Sequence, residues 1–334
     1  MEDITVIGMD IAKNVFHVCG MNSSGKIVIR KRLYRNQVLG FFVNLNKCVV
    51  ALESCGGSSY WAREIKALGH DARLIPAQHV KAFVKGQKND NNDAEAIAEA
   101  ALRPTMRFVT PNTVDQQDIQ SIHRFRERLV KQRNALCNQA RGLLMEYGLI
   151  IPQGRTHVVK ALFTFIATSE NAERDLWNKL FTDLKHELQE LDMKILEYER
   201  LITKISRAHP VCKKLEDIHG VGPLTSTAII AAVGNPTDFK NGRQFAAWLG
   251  LVPKQHSSGG KTKLLGITKK GDKYLRKLLV HGARTECMFA KKRNNTWLMQ
   301  LKERRGYNKA AVAYANKNAR HIWRVLADKE KLAA

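Results

Sequence analysis

The sequence predicts an α/β plus α protein: a mixed sheet at the N-terminus, a helical connector with a coiled-coil repeat, and a mainly helical C-terminal region. Three observations lead there. Short apolar strands open the chain and then alternate with helical segments, the pattern of a mixed α/β sheet. Between Trp177 and Ile205 apolar residues recur at alternating spacings of four and three. The last third joins apolar helical stretches through glycine-rich connections.

Taken in order, ITVIGMD and VFHVCGM read as strands on either side of the polar break Lys13-Asn14. A turn at Ser23-Ser24-Gly25-Lys26 leads to IVIRKRLY, whose alternation suits a strand with one wet face. NQVLGFFVNLNK reads as helix, CVVALES as a buried strand, SYWAREIKALG as a helix closed by Gly69, and ARLIPA as a short strand. These bound an α/β domain at residues 1–108.

Residues 109–209 read as helical. Trp177, Phe181, Leu184, Leu188, Leu191, Ile195, Tyr198, Ile202 and Ile205 form an a/d seam. An antiparallel hairpin with residues 114–147, a dimer seam and an ordinary amphipathic bundle helix each satisfy it. Residues 210–334 form the third region. There Gly220 and Gly222 separate two apolar helical stretches, with Pro223 at the first turn of the second, as in a helix-hairpin-helix whose backbone amides approach a DNA phosphate. A plain helix-loop-helix connection is the bland alternative.

Composition narrows the class. The chain has 334 residues, is 44% hydrophobic and 26% charged, and carries a net charge of +24, which fits a soluble, globular protein with a polyanionic partner. The charge is concentrated: residues 201–334 hold 27 Lys and Arg against 8 Asp and Glu. No apolar run approaches a bilayer span and MEDITVIG does not read as a signal peptide, so a cytoplasmic protein is expected. The six cysteines lack C-x-x-C spacing, which argues against a zinc site and a disulfide framework. The eleven histidines show no close pairing typical of a metal site.

Against this positive background, four acidic residues stand at strand ends or helix starts: Asp10 in VIGMDIAK, Glu53 in VVALESCGG, and Asp90 with Asp93 in KNDNNDAEAIAEA. Neighbouring strands place Asp10 and Glu53 side by side, and Asp90 and Asp93 share one helical face. Carboxylates crowded in this way repel one another unless a cation neutralises them, and hard oxygen donors suit Mg²⁺ or Mn²⁺. Two such ions about 4 Å apart activate the attacking oxygen of a phosphodiester reaction and stabilise the leaving one. Taken singly, Asp90 or Asp93 is as well explained as a helix cap and Glu53 as a turn residue.

The segment HSSGGKTK puts Ser257 and Ser258 in what reads as a flexible, basic, glycine-rich loop. Serine attacks a phosphodiester where its proton is removed and cations hold the phosphate. Lys261, Lys263, Lys269, Lys270 and Lys273 offer that field, although Ser-Gly loops are common without chemistry. Trp297, Tyr307, Tyr314 and Trp323 lie among Lys and Arg, suited either to stacking on bases or to anchoring basic-faced helices in a core.

The order GMDIAK, ALESCGG, KNDNNDA, HGVGPLTSTAIIAAVG, RQFAAWLGLVP and HSSGG closely resembles the DEDD-type insertion-sequence transposases of the IS110 and IS1111 groups, relatives of the DNA invertase Piv. The resemblance implies a RuvC-like N-terminal domain of RNase H fold, a coiled-coil insertion and a C-terminal transposase domain. It maps the family's acidic tetrad onto Asp10, Glu53, Asp90 and Asp93, and its nucleophilic serine onto Ser258, with adjacent Ser257 leaving a one-residue ambiguity. It further implies Mg²⁺ dependence, donor and target DNA as substrates, and a homodimer that pairs into a tetramer. In some members a structured RNA from the element's own end guides the reaction. Two other readings compete: a RuvC-like nuclease that resolves branched DNA through metal-activated water, and a non-catalytic nucleic-acid scaffold with a structural acidic cluster.

Overall fold

Apolar alternation sets the first strands. The computed structural model describes residues 3–85, 89–168 and 175–330; Lys88, the first residue of the KNDNNDA motif, lies outside them. β1 (Val6–Asp10), β2 (Val15–Met21) and β3 (Ile27–Tyr34) form an antiparallel meander. After α1 (Val38–Val43), β4 (Val49–Glu53) joins parallel to β1. After α2 (Ser58–Ala67), β5 (Asp71–Ile75) joins parallel to β4, giving the order β3-β2-β1-β4-β5. Parallel pairing needs a crossover, and the two helices supply it.

β1 is nearly all apolar because both faces of the sheet are covered. On one side Ile7, Met9, Phe16 and Val50 pack with Phe42 of α1 and with Trp61 and Ile65 of α2. After α3 (Ala77–Val80), the other side receives α4 (Asp90–Ala101), whose Ala94 and Ala98 sit with Val6, Cys19 and Met21. This contact is close: a Cβ added to Gly8 would lie 2.2 Å from the Ala94 carbonyl oxygen and 2.3 Å from the Ala98 nitrogen. Beyond α4, Val109 bridges to Leu74 at the sheet edge. This compact unit comprises Met1–Val114 with Ala232–Asn241, joined where the Thr110 hydroxyl donates to Asp238 at 2.9 Å.

The second unit comprises Asp115–Ala231 and Gly242–Ala334. α5 (Val114–Glu146), α6 (Arg155–Thr168) and α7 (Asp175–Ala208) share one core. From the predicted seam, Phe181, Leu188, Leu191 and Ile195 are buried in it, while Trp177 is 38% exposed. The seam therefore has partners within this chain. α5 and α7 run antiparallel, since Arg126 donates to Glu199 at 2.5 Å and Arg133 to Asp192 at 3.2 Å.

Then come α8 (Pro210–Glu216), α9 (Pro223–Ala232), α10 (Gly242–Trp248), β6 (Pro253–Ser258), β7 (Lys261–Ile267), α11 (Lys273–Phe289), α12 (Thr296–Arg305) and α13 (Tyr307–Glu330). The flexible loop expected at HSSGGKTK is instead a β-hairpin. Gly259 and Gly260 both take positive φ, 54° and 75°, the turn that matches strand twist in a two-residue hairpin. The strands are exposed on both faces, so no apolar alternation announced them. Among the described residues no helix is long and apolar enough to cross a membrane.

A buried histidine ties three helices of this unit. The Thr227 hydroxyl donates to the Pro223 carbonyl at 2.6 Å, so it accepts the Nε2 proton of His123 at 3.1 Å. His123 Nδ1 then accepts from the Tyr274 hydroxyl at 3.0 Å. Burial first, then nearby Arg126, lowers the His123 pKa from 6.5 to about 4. The unfolded chain therefore binds a proton at higher pH than the native one, and stability is lost as pH falls from 6.5 towards 4. Chemical denaturation should show a loss of about 2 kcal/mol from this residue between pH 7 and pH 5. His123→Gln should flatten that slope.

Candidate active site

The acidic centre is assembled by register. Antiparallel pairing sets Asp10, the last residue of β1, opposite His17 of β2. Parallel pairing of Met9 with Leu52 puts Glu53 beside Asp10. α4 starts at Asp90 because the Asn89 side chain caps it, accepting from the Asn91 amide at 3.0 Å. Asp90, Ala94 and Ala98 fall in one row at four-residue spacing. With Ala94 and Ala98 pressed on Gly8, the start of α4 is delivered to the end of β1.

Asp10, Asp90 and Asp93 each offer a carboxylate oxygen within 4.8 Å of the others. Glu53 stands outside this triad but close enough for its charge to act on Asp10 and Asp93. Burial, then Asp93 and Asp90, pushes the Asp10 carboxyl above its ordinary value, while His17 pulls it down. Glu53 is also raised, by burial first and then by Asp10 and Asp93. A divalent cation relieves that repulsion, and the hard oxygen donors fit one. The Cys55 thiol is raised too, by burial and then by Glu53 and Asp10.

His17 was not singled out from the sequence. Its Nδ1 lies 3.8 Å from Asp90 Oδ2. The signal for it is the β1–β2 register, which a hairpin alignment around Lys13-Asn14 would have supplied.

In the second unit, the hairpin register separates the two serines. Ser258 pairs with Lys261 and His256 with Lys263, so these four share one face. Ser257 pairs with Thr262 on the opposite face, where its hydroxyl accepts from Gln255 at 2.7 Å. Cations therefore accompany Ser258 and not Ser257. Lys269, Lys270 and Lys273 are exposed along the connection from β7 into α11.

The root of the hairpin is rigid. Arg276, buried, donates to the carbonyls of Leu249 at 3.0 Å and Lys270 at 2.8 Å. A Cβ on Gly271 would stand 1.8 Å from the Trp248 carbonyl oxygen.

Gly220 and Gly222 have different surroundings. A Cβ on Gly282 of α11 would stand 1.9 Å from the Gly220 carbonyl oxygen, so Gly220 serves close packing as well as its turn at φ +87°. Gly222 has open space around it, leaving its backbone approachable. Of the terminal aromatics, Tyr314 is a core residue, and Trp297 is half-exposed beneath the Lys317 ammonium at 4.9 Å.

Two outcomes are expected. Raised carboxyl pKa values mean that the native, metal-free protein binds more protons than the unfolded chain, so it loses stability as pH rises through them. Asp10→Asn should therefore melt higher than wild type at pH 7 without metal, and Mg²⁺ should raise the melting temperature of wild type only. Gly8→Val should lose the Mg²⁺ response altogether, by forcing α4 off β1, as read by the same calorimetric scans.

A DEDD-type IS110 family model, described as transposase, matches residues 7–149, and one described as transposase IS116/IS110/IS902 family matches residues 212–297. The DEDD type of domain points, as the acidic triad does, to dependence on a divalent metal. The chain is 47% identical over 328 residues to a probable family 20 transposase of Pseudomonas aeruginosa, covering 97% of each chain. It is 43% identical over 333 residues to the transposase for insertion sequence element IS1111A of Coxiella burnetii, covering 99% of this chain and 92% of that one. The pilin gene-inverting protein of Moraxella bovis is 21% identical, over 82% and 80% of the two chains. The chain thus belongs to the IS110 family of insertion-sequence transposases.

Proposed function

We propose that this protein is the DNA transposase of an insertion sequence, cleaving and rejoining strands with a Mg²⁺-dependent acidic tetrad and Ser258 as nucleophile. The observation that carries the reading is the convergence of Asp10, Asp90 and Asp93 at the end of the central strand, with Glu53 beside them. Three functional domains follow: residues 1–108 as a RuvC-like domain of RNase H type, 109–209 as a helical, coiled-coil connector, and 210–334 as the transposase domain.

Asp10, Glu53, Asp90 and Asp93 would hold the cation, Mg²⁺ or Mn²⁺, which when bound supplies Lewis-acid polarisation of a phosphodiester. Ser258 Oγ attacks the scissile phosphorus as its proton is taken up by a base. The bond to the departing sugar oxygen breaks, and that oxygen is protonated. The product is a phosphodiester between Ser258 and the DNA strand. Attack by the hydroxyl of an incoming strand reverses these steps, freeing Ser258 and joining the strands. Lys261 and Lys263, on the face of Ser258, neutralise phosphate charge during both displacements. Lys269, Lys270 and Lys273 extend this field, and the open backbone at Gly222, across the turn from Gly220, contributes to DNA binding.

The surplus of 27 basic over 8 acidic residues in 201–334 supports a surface that holds donor and target DNA. In this reading a structured guide RNA selects sequence by pairing, and a homodimer meets a second one to bring donor and target together in a tetramer in the prokaryotic cytoplasm. The rival is a nuclease that uses the acidic centre alone, with water as nucleophile. The acidic residues all belong to one compact unit, which is what that rival requires.

Denaturing gels separate the two. Wild-type protein with Mg²⁺, element-derived RNA and labelled junction DNA should give a protein–DNA adduct that Ser258→Ala and Asp10→Asn both lose, while Ser257→Ala keeps it. Cleavage without adduct, unchanged by Ser258→Ala, would establish the nuclease instead.

A further inference from the structure

We infer that a groove leading away from the acidic centre binds an unstacked, single-stranded stretch of nucleic acid next to the scissile phosphate, stacking its bases on Tyr60 and Tyr34 and holding its phosphates with Arg35 and Lys13. This rests on the reading of the acidic cluster as the reaction centre. The groove is made of two adjoining clefts of about 530 and 460 Å³ that share Arg35, Tyr60 and Trp61. One cleft begins at Ile11, directly after Asp10, and is walled by Cys55, two residues after Glu53.

Chemistry along the groove is of one kind. Among the described residues no Asp or Glu lines either cleft, although an acidic cluster lies at the end. Tyr34 and Tyr60 are 54% and 40% exposed; the Arg32 guanidinium lies over the Tyr34 ring at 5.5 Å, adding a third cation to the groove and leaving Tyr60 as the more open ring face. Tyr60 is held edge-on against buried Trp61, with ring centres 5.2 Å apart. The Arg35 guanidinium lies over the Trp61 ring at 5.1 Å and donates to the Lys13 carbonyl at 3.2 Å, so it is set in place before any ligand arrives. Gly56 and Gly57 have open space around them and let a phosphate approach their backbone.

Alternating cations and open aromatic faces are the pattern that grips a single strand, because every base has a face to stack and every nucleotide a charge to neutralise. Duplex DNA keeps its base faces covered. The occupant is therefore strand already unpaired, which cleavage and exchange of strands require beside the reacting phosphate.

A photocrosslinking experiment on the full-length protein tests this, using a thymidine oligonucleotide with one 5-iododeoxyuridine, Ca²⁺ in place of Mg²⁺, and peptide mass mapping. Adducts are expected at Tyr60 or Tyr34. Tyr60→Ala combined with Tyr34→Ala should lower adduct yield in this unit about tenfold or more, while Tyr60→Phe keeps it. A blunt duplex of the same length should crosslink far less there. Adducts confined to residues 210–330, or equal yield from duplex, would overturn the proposal. Asp10→Asn separates the two readings: it should keep the adducts and lose Mg²⁺-dependent cleavage. Cleavage that survives Asp10→Asn would remove the acidic-centre reading and leave the groove as a strand-binding site. Adducts that are absent from wild type while Asp10→Asn abolishes cleavage would remove the groove alone.

Discussion

The contact between Gly8 and the Ala94–Ala98 turn of α4 is the constraint on which the acidic centre depends. A hydrogen at position 8 lets the helix backbone rest on the central strand, and a methyl group there would overlap two backbone atoms of the helix. The alanines complete the fit, since anything larger would lift the helix away. Because α4 is fixed in height, its first turn meets the end of β1, and carboxylates 80 residues apart in sequence become neighbours. The apolar core on the other face, from Phe16 to Trp61, keeps β1 from yielding to the resulting repulsion.

That repulsion is functional free energy held by the fold. Desolvation and like charge raise Asp10 and Glu53 together. A bound hard cation would cancel the like-charge repulsion and offset the cost of burying the carboxylates, so the arrangement that raises Asp10 and Glu53 also favours a cation. Uncharged surroundings would have been easier to fold and could not hold metal. Ser258 presents the opposite design. Its hairpin has no core of its own, and its position comes from a root in which Arg276 and the close-packed Gly250 and Gly271 lock the chain. As the proposed nucleophile, Ser258 sits on a stiff but exposed arm that is free to reach a large substrate.

Particular elements show how far local pattern carried. The five strands were readable because each is a short, largely apolar or alternating run bounded by turn residues, Lys13-Asn14 and Ser23 to Lys26 among them, and the start of α4 was readable from Asp90 and Asp93 ahead of AEAIAEA. The hairpin at 253–267 was not, since strands exposed on both faces lack an apolar period, and only Gly259-Gly260 signalled it. The seam on α7 was legible as a stripe, but its partners on α5 and α6 depend on ion pairs such as Arg126–Glu199 that no heptad spacing encodes.

The sequence by itself determined the identity of the acidic residues, the charge gradient towards the C-terminus and the mixed α/β plus helical layout, because these follow from residue types and short periods. Tertiary structure decided the rest. It drew Asp10, Asp90 and Asp93 into one triad with Glu53 just outside it, and it set His17 beside them through strand register. It placed Ser258, not Ser257, on the cationic face, turned Gly220 inward, and opened an aromatic groove beside the carboxylates. Each of these rests on which backbones approach and in what register, and a one-residue slip would reverse the side chains without changing the composition.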